Sequence, residues 1–376
     1  MKYCRKCVLP DTRPNLKFDP EGVCSACRHH ELRLQVNWDT REQVFKELID
    51  SVTDSTSGYN CLIPVSGGKD STWQVLKCLE YGLRPLTLSW RPPGRTTLGE
   101  RNLRNLVGQG VDHLDYTINP TVERSFTHAA FVERGIPGLP MHMAIYNIPL
   151  RVALAFGIPL VVWGENSAVE YGDGDDERDG SLLTDEWLTK YGVTDGTRLQ
   201  DWVSGELSEE DLTAYAGPMP SELERHGIRG IFLGHYFRWD PQETLAIAKA
   251  SGFEVSEEGP LVGIYNFADI DDAYLAVHHW IKWYKFGFTR TFDNLSLEIR
   301  NRRVSRQEAI EVLRISGDEM PVTAIEQFCG YLQIDEEQFS RVCERFRNPE
   351  VWKLTGDVWS IPDFIVEDWT WRSRRS

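Results

Sequence analysis

The sequence predicts an α/β fold: a Rossmann-like parallel sheet, with a small cysteine-rich module ahead of it and a helical region behind. Three observations carry this. Short apolar stretches alternate with helical ones between residues 61 and 236, the first two helices of that rhythm close on glycine, and the alternation is lost on either side.

Taken in order, "CLIPV" reads as a buried strand and "DSTWQVLKCLEYG" as a helix closed by Gly82. "RPLTLSW" is a second strand, "TLGERNLRNLVGQG" a second helix and "VDHLDYTI" a third strand. Helical segments run through Phe156 to "IPLVVWG", the fourth strand, and "IRGIFLGHY" reads as a fifth. Apolar strands separated by helices imply a parallel sheet covered on both faces. Ligands of such sheets bind beyond the carboxyl ends of the strands.

The first 35 residues stand apart. "CRKC" and "CSAC" place Cys4, Cys7, Cys24 and Cys27 as two pairs separated by 16 residues. That spacing predicts a tetrahedral zinc site with four thiolates; an iron–sulfur cluster or a redox dithiol are the alternatives. So small a segment has little core, and a metal would supply its folding energy. The expected domains are residues 1–35, a parallel-sheet domain over 36–250, and a helical region over 251–376.

Within the second of these, residues 165–229 break the rhythm. "ENSAVEYGDGDDERDG" carries seven acids against one arginine and reads as a solvated insertion or a lid. After Pro241 the periodicity is helical, in "DDAYLAVHHWIKWYKFGF", "VSRQEAIEVLRISG" and "DEEQFSRVCERFR". The last stretch is rich in tryptophan, which reads as core.

The chain has 376 residues and a formal net charge of −16. Such a surface repels phosphate backbones, so general nucleic-acid binding is not expected. Arg300, Arg302, Arg303 and Arg306, and the tail residues Arg372, Arg374 and Arg375, are the best candidates for a local basic patch. No run approaches the length of a membrane span and "MKYCRKCVLPD" has no apolar signal core, so membrane insertion and secretion are not expected and a cytoplasmic location is.

The most informative stretch is "IPVSGGKDSTW", Ile63 to Trp73. Gly67 and Gly68 let backbone amides approach an anion at a helix N-terminus. Ser66, Ser71 and Thr72 can donate hydroxyl hydrogen bonds, and Lys69 can offset phosphate charge. Asp70 would repel a bare phosphate, and a divalent cation between them removes the objection. The loop lacks the spacing G-x-x-x-x-G-K-[ST].

"SGGKDS" after a strand resembles the PP-loop of the adenine-nucleotide α-hydrolases. The stretches "CRKCVLPDTRP", "GVCSAC", "PVSGGKDST", "YNIPLRVALAFGIPLVVWGEN", "GIFLGHY" and "HHWIKWYKFGFTR…DNLSLEIRNRRVSRQEA" look like the N-acetyl sugar amidotransferases of surface-polysaccharide or nonulosonic-acid biosynthesis. The resemblance implies ATP, magnesium and cleavage between the α and β phosphates. An acetamido oxygen of an activated sugar would be adenylated, and ammonia would then displace AMP to leave an acetamidino group. It also implies a glutaminase and a cyclase-like subunit as ammonia suppliers. Lys69 and Asp70 would be the catalytic pair, with Glu165 and Asn166 of "WGEN" reaching the same site. Thr87, Ser89 and Trp90 would line the adenine side. His279, Lys285, Arg300 and Arg302 are candidates for an anionic substrate. No glutaminase nucleophile is apparent: residue 2 is Lys, and Cys61, Cys78, Cys329 and Cys343 sit at strand or helix positions typical of burial. A PP-loop tRNA thiolase would add a further cysteine pair and a basic face; a non-catalytic ATP sensor is the other alternative.

Overall fold

Short runs of apolar residues with no polar face need cover on both sides, and the chain supplies it. In a computed structural model of the protein, residues 1–53, 58–164, 166–172, 181–192, 194, 196 and 197–371 are described. Strands β1 (Cys61–Pro64), β2 (Pro85–Trp90), β3 (Asp112–Tyr116), β4 (Leu160–Trp163) and β5 (Arg229–Phe232) pair in parallel, in the order β3-β2-β1-β4-β5. This matches the first five strands of the doubly wound order 3-2-1-4-5-6. The order reverses between β1 and β4, where a crevice opens beyond the strand ends.

Helices α1 (Ser25–Arg33) and α2 (Trp38–Thr53) precede the sheet; α3 (Lys69–Glu80), α4 (Thr97–Val107), α5 (Pro120–Arg134) and α6 (Leu139–Phe156) connect its first four strands. Between β4 and β5 lie α7 (Ser167–Tyr171), α8 (Asp185–Tyr191) and α9 (Pro220–Arg225). Beyond β5 come α10 (Leu233–Tyr236), α11 (Pro241–Ala250), α12 (Ala273–Phe286), α13 (Arg290–Arg300), α14 (Arg306–Ser316), α15 (Val322–Leu332) and α16 (Glu336–Arg345), then the antiparallel hairpin of β6 (Lys353–Thr355) and β7 (Val358–Ser360). Local chemistry sets many of the boundaries. Thr96 caps α4 by accepting from the Gly99 amide, Pro120 opens α5 behind the Asn119 cap, and Ser305 and Glu308 cap α14 reciprocally. Among the described residues no helix is long and apolar enough to cross a membrane.

Alternation along the strands divides the core. Ile63, Leu160 and Val162 face α3 and α4, while Leu62, Leu86 and Val161 face α5 and α6. A third core joins Val8, Leu9 and the four N-terminal cysteines to Trp283, Phe292 and Phe364. The C-terminal tryptophans are packed there: Trp283 stacks with Trp371 and meets Trp352 edge-on.

The stretch expected as a solvated excursion is, where described, packed. Trp187, Trp202 and Tyr215 are buried on the α5–α6 face, with Phe126 touching both Trp202 and Tyr215. Leu182 forms a bridge to Ile231 at the sheet edge. Its aromatic anchors are spaced too widely to show as periodicity, and the acidic composition hides them. The most acidic part, residues 173–180, lies outside the described residues.

Glu123 on α5 is buried, and its Oε1 accepts a 2.7 Å hydrogen bond from Trp90 Nε1. Burial pushes its carboxyl from 4.5 up to about 8, with the Asp272 charge adding to the effect. The folded chain therefore holds this proton where the unfolded chain releases it. The stabilisation is fully present below about pH 4.5 and is lost as pH rises through about 8. Glu123→Gln keeps an acceptor for Trp90 without a titrating proton. Thermal melts between pH 5 and roughly 8.5 should show a smaller fall in midpoint for the variant than for the native chain.

Candidate functional site

The loop after β1 is preformed by its own residues. Gly67 has φ +89°, and a Cβ there would lie 2.7 Å from the Leu103 backbone nitrogen, so only glycine fits. Ser66 Oγ accepts from the Gly68 amide at 3.2 Å, and Ser71 Oγ accepts from the Ser66 amide at 3.1 Å. Thr72 donates to the Gly68 carbonyl at 3.1 Å. Gly68 is the N-cap of α3 and supplies no side-chain cap, which leaves amides of the first helical turn open to an anion.

Lys69 is buried. Its Nζ lies 2.6 Å from Asp70 Oδ2 and over the rings of Trp239 and Phe267, at 5.4 and 5.9 Å. Asp70 Oδ1 accepts from Trp239 Nε1 at 2.9 Å and Thr244 Oγ1 at 3.1 Å. The carboxylate that is out of place beside a bare phosphate thus has three protein partners, and it is held in one orientation.

The loop opens onto a cavity of about 440 Å³. Trp90 of β2 and Tyr146 of α6 form part of one wall; residues 267–272, α12 and α13 form the opposite one. The second wall is rich in acids. Asp269 has φ +56° and pairs with Arg290 Nε at 2.8 Å, with His279 Nε2 at 3.9 Å. Burial alone would raise the Asp269 carboxyl, but Arg290 and His279 hold it below the ordinary carboxylate range. Burial pushes Asp271 up to about 6 and Asp272 up to about 7. His279 is driven down to about 3 by burial, then by Lys282 and Arg290, and is neutral.

Of the residues expected at this site, Ser66, Gly68, Lys69, Asp70, Ser71, Trp90 and His279 line the cavity. Gly67 and Thr72 shape the loop from behind. Thr87 and Ser89 point to the other face of the sheet, toward His113, at 3.0 and 3.4 Å. Asn166 caps α7 and accepts from Trp187 Nε1 at 3.2 Å, off the cavity. Glu165 lies outside the described residues, as do Arg372, Arg374 and Arg375. Lys285 donates to the Arg134 carbonyl at 3.0 Å. Arg302 is an exposed turn residue at φ +58°. Arg300 is buried beside the N-terminal cysteines, and Arg303 pairs with Glu298 and Asp240. The arginines of "RNRR" therefore do not form one exposed patch. Sequence reasoning missed Trp239, Thr244, Asp269, Asp271, Asp272 and Arg290. The run "DIDD" ahead of α12 was the available signal.

Cys4, Cys7, Cys24 and Cys27 converge in the buried core, with their sulfurs within 4.8 Å of one another. Cys4 and Cys27 sulfurs are 4.0 Å apart, and Cys7 and Cys24 sulfurs 3.7 Å apart. Tetrahedral Zn–S bonds of about 2.3 Å separate sulfurs by roughly 3.8 Å, so this donor set fits zinc. The amides of Lys6, Cys7 and Cys24 point at Cys4 Sγ, and Arg306 Nε donates to the Cys4 and Cys7 carbonyls at 3.3 and 3.1 Å. Elemental analysis of the purified chain should find about one zinc per molecule. Removing it with a strong chelator should lower the thermal midpoint and speed proteolysis within residues 1–35; a metal-free chain with an unchanged midpoint would rule the centre out.

One comparison with known proteins bears on the residues lining the cavity. Residues 263–363 match the family model described as LPS biosynthesis protein WbpG-like, C-terminal domain. No curated protein matches the chain by sequence. Among solved structures, the NMN synthetase of Francisella tularensis aligns over 71% of this chain and 94% of its own, at 11% identity and a TM-score of 0.34. A likeness that weak adds nothing to the strand order already described. The matched segment runs from the cavity loop through α12 and α13 to the C-terminal hairpin, so the similarity to the WbpG-like lipopolysaccharide-biosynthesis domain covers the C-terminal part of the chain.

Proposed function

We propose that the chain is an ATP-dependent amidotransferase of lipopolysaccharide biosynthesis, converting an acetamido group of an activated sugar to an acetamidino group. One observation carries this reading: the "SGGKDS" loop and the WbpG-like segment both line a single cavity. A nucleotide bound by the loop would present its α phosphate to whatever the other wall holds.

In this reading the acetamido oxygen attacks the α phosphorus of ATP and pyrophosphate leaves. Lys69 and the open amides of α3 stabilise the charge on the departing pyrophosphate. Asp70 would hold magnesium, which would draw charge from the phosphates when bound. A single carboxylate, partly exposed despite its partners, suits an ion held mainly by phosphates and water. Ammonia then adds to the activated carbon, the C–O bond breaks and AMP departs. The incoming nitrogen must shed a proton. Asp271 and Asp272, with proton affinities near neutrality, are the cavity carboxyls suited to take it. Ammonia would come from a partner glutaminase with its cyclase-like subunit.

Incubation with ATP, ammonium and acetamido sugar nucleotides should release AMP and pyrophosphate, with a product lighter by the difference between O and NH. Lys69→Ala should lower kcat/KM by about 10²–10³-fold while the fold persists. Accumulation of ADP in place of AMP, or unchanged turnover in the variant, would refute the assignment.

A further inference from the structure

The cavity at the loop is close to the size of one ligand, and the proposed reaction needs two. Binding cavities of about 300–1,000 Å³ each enclose a drug-sized molecule; the 440 Å³ here is room for about one, which in the proposed function is the nucleotide. A second cavity of about 870 Å³ lies next to it, and the two share His142 and Tyr146 of α6 as a common wall. From there it follows α6 down to Leu150 and the sheet edge to Arg229. The eight helical steps from His142 to Leu150 make this groove about 12 Å long. That is too large for a passage serving ammonia alone, and it matches an elongated second substrate.

Its chemistry is also specific. Arg198 and Arg229 line the groove, are exposed, and form no ion pair among the described residues. In a chain of net charge −16, two such guanidinium groups in one groove suit a diphosphate. Asp185 and Glu224 stand in the same groove, and carboxylates accept hydrogen bonds from ribose and sugar hydroxyls. At the shared wall, His142 Nδ1 lies 2.6 Å from the Gly138 carbonyl oxygen and burial keeps the ring neutral. Nδ1–H is thereby assigned as the donor, and Nε2 is left as an acceptor.

We propose that the groove lined by α6, Arg198 and Arg229 seats the nucleoside diphosphate of an acetamido sugar nucleotide, with the sugar passing His142 and Tyr146 into the loop cavity. This rests on the proposed function, and the test separates the two. Calorimetric titration of the full chain with UDP-N-acetylglucosamine and its GDP and dTDP counterparts should find binders. The double variant Arg198→Ala/Arg229→Ala should weaken them at least tenfold and raise their KM, with ATP affinity within twofold of native. Lys69→Ala should do the reverse. If sugar nucleotides drive AMP release but the arginine variant keeps their affinity, the groove assignment fails and the function stands. If Lys69→Ala weakens sugar nucleotide and ATP alike, the two share the loop cavity and the groove assignment fails. If no sugar nucleotide binds or drives AMP release, both fail.

Discussion

The packing depends on one buried carboxylate. Asp293 is fully buried on α13 and accepts from Arg13 Nε at 2.9 Å and Lys282 Nζ at 2.8 Å, with Arg290 at 4.0 Å. Burial drives the Lys282 ammonium down to about 8, and Asp293 opposes that shift. Ions are tolerated in an interior only as satisfied sets. Removing one member leaves the others uncompensated, at a cost of about 3–5 kcal/mol. Here the set spans the fold: Arg13 belongs to the cysteine module, Lys282 to α12 and Arg290 to α13. Arg290 then reaches on to Asp269 at the cavity. Arg13 of the cysteine module and Asp269 at the cavity are thereby connected through a chain of charges.

That arrangement bears on how an acidic wall can border the loop proposed to hold phosphates. Asp269 is neutralised by Arg290, and Asp70 by Lys69. Asp271 and Asp272 are raised toward neutrality by burial, so part of their charge is absent near pH 7. The cavity therefore opposes an incoming polyanion much less than its acid count suggests. Its carboxyls remain available for proton transfer.

The sheet was legible in the sequence because parallel strands buried on both faces are unbroken apolar runs, as in "CLIPV" and "LVVW". The loop was legible because an anion nest needs glycine at Gly67, where backbone approach admits nothing larger. The cysteine module was legible because ligand spacing is local. The opposite wall was not. Trp239 and Thr244 reach Asp70 from more than 160 residues away, and no periodicity reports such a contact. Arg300 reads as an anion-binding residue by type, yet tertiary packing sets it against thiolates and Glu170. Ser89 was one position off in the pleat: its neighbours Leu88 and Trp90 face the cavity, and it does not.

The shared core of the N-terminal cysteines and residues 277–366 bears on biosynthesis. The ribosome releases the four thiols before the helices that cover them. The emerging module must wait with its apolar side bare while the intervening sheet and its helices are made. Early metal capture would protect those thiols from oxidation during the delay. A nascent chain truncated before α12 would present that bare side to chaperones and proteases.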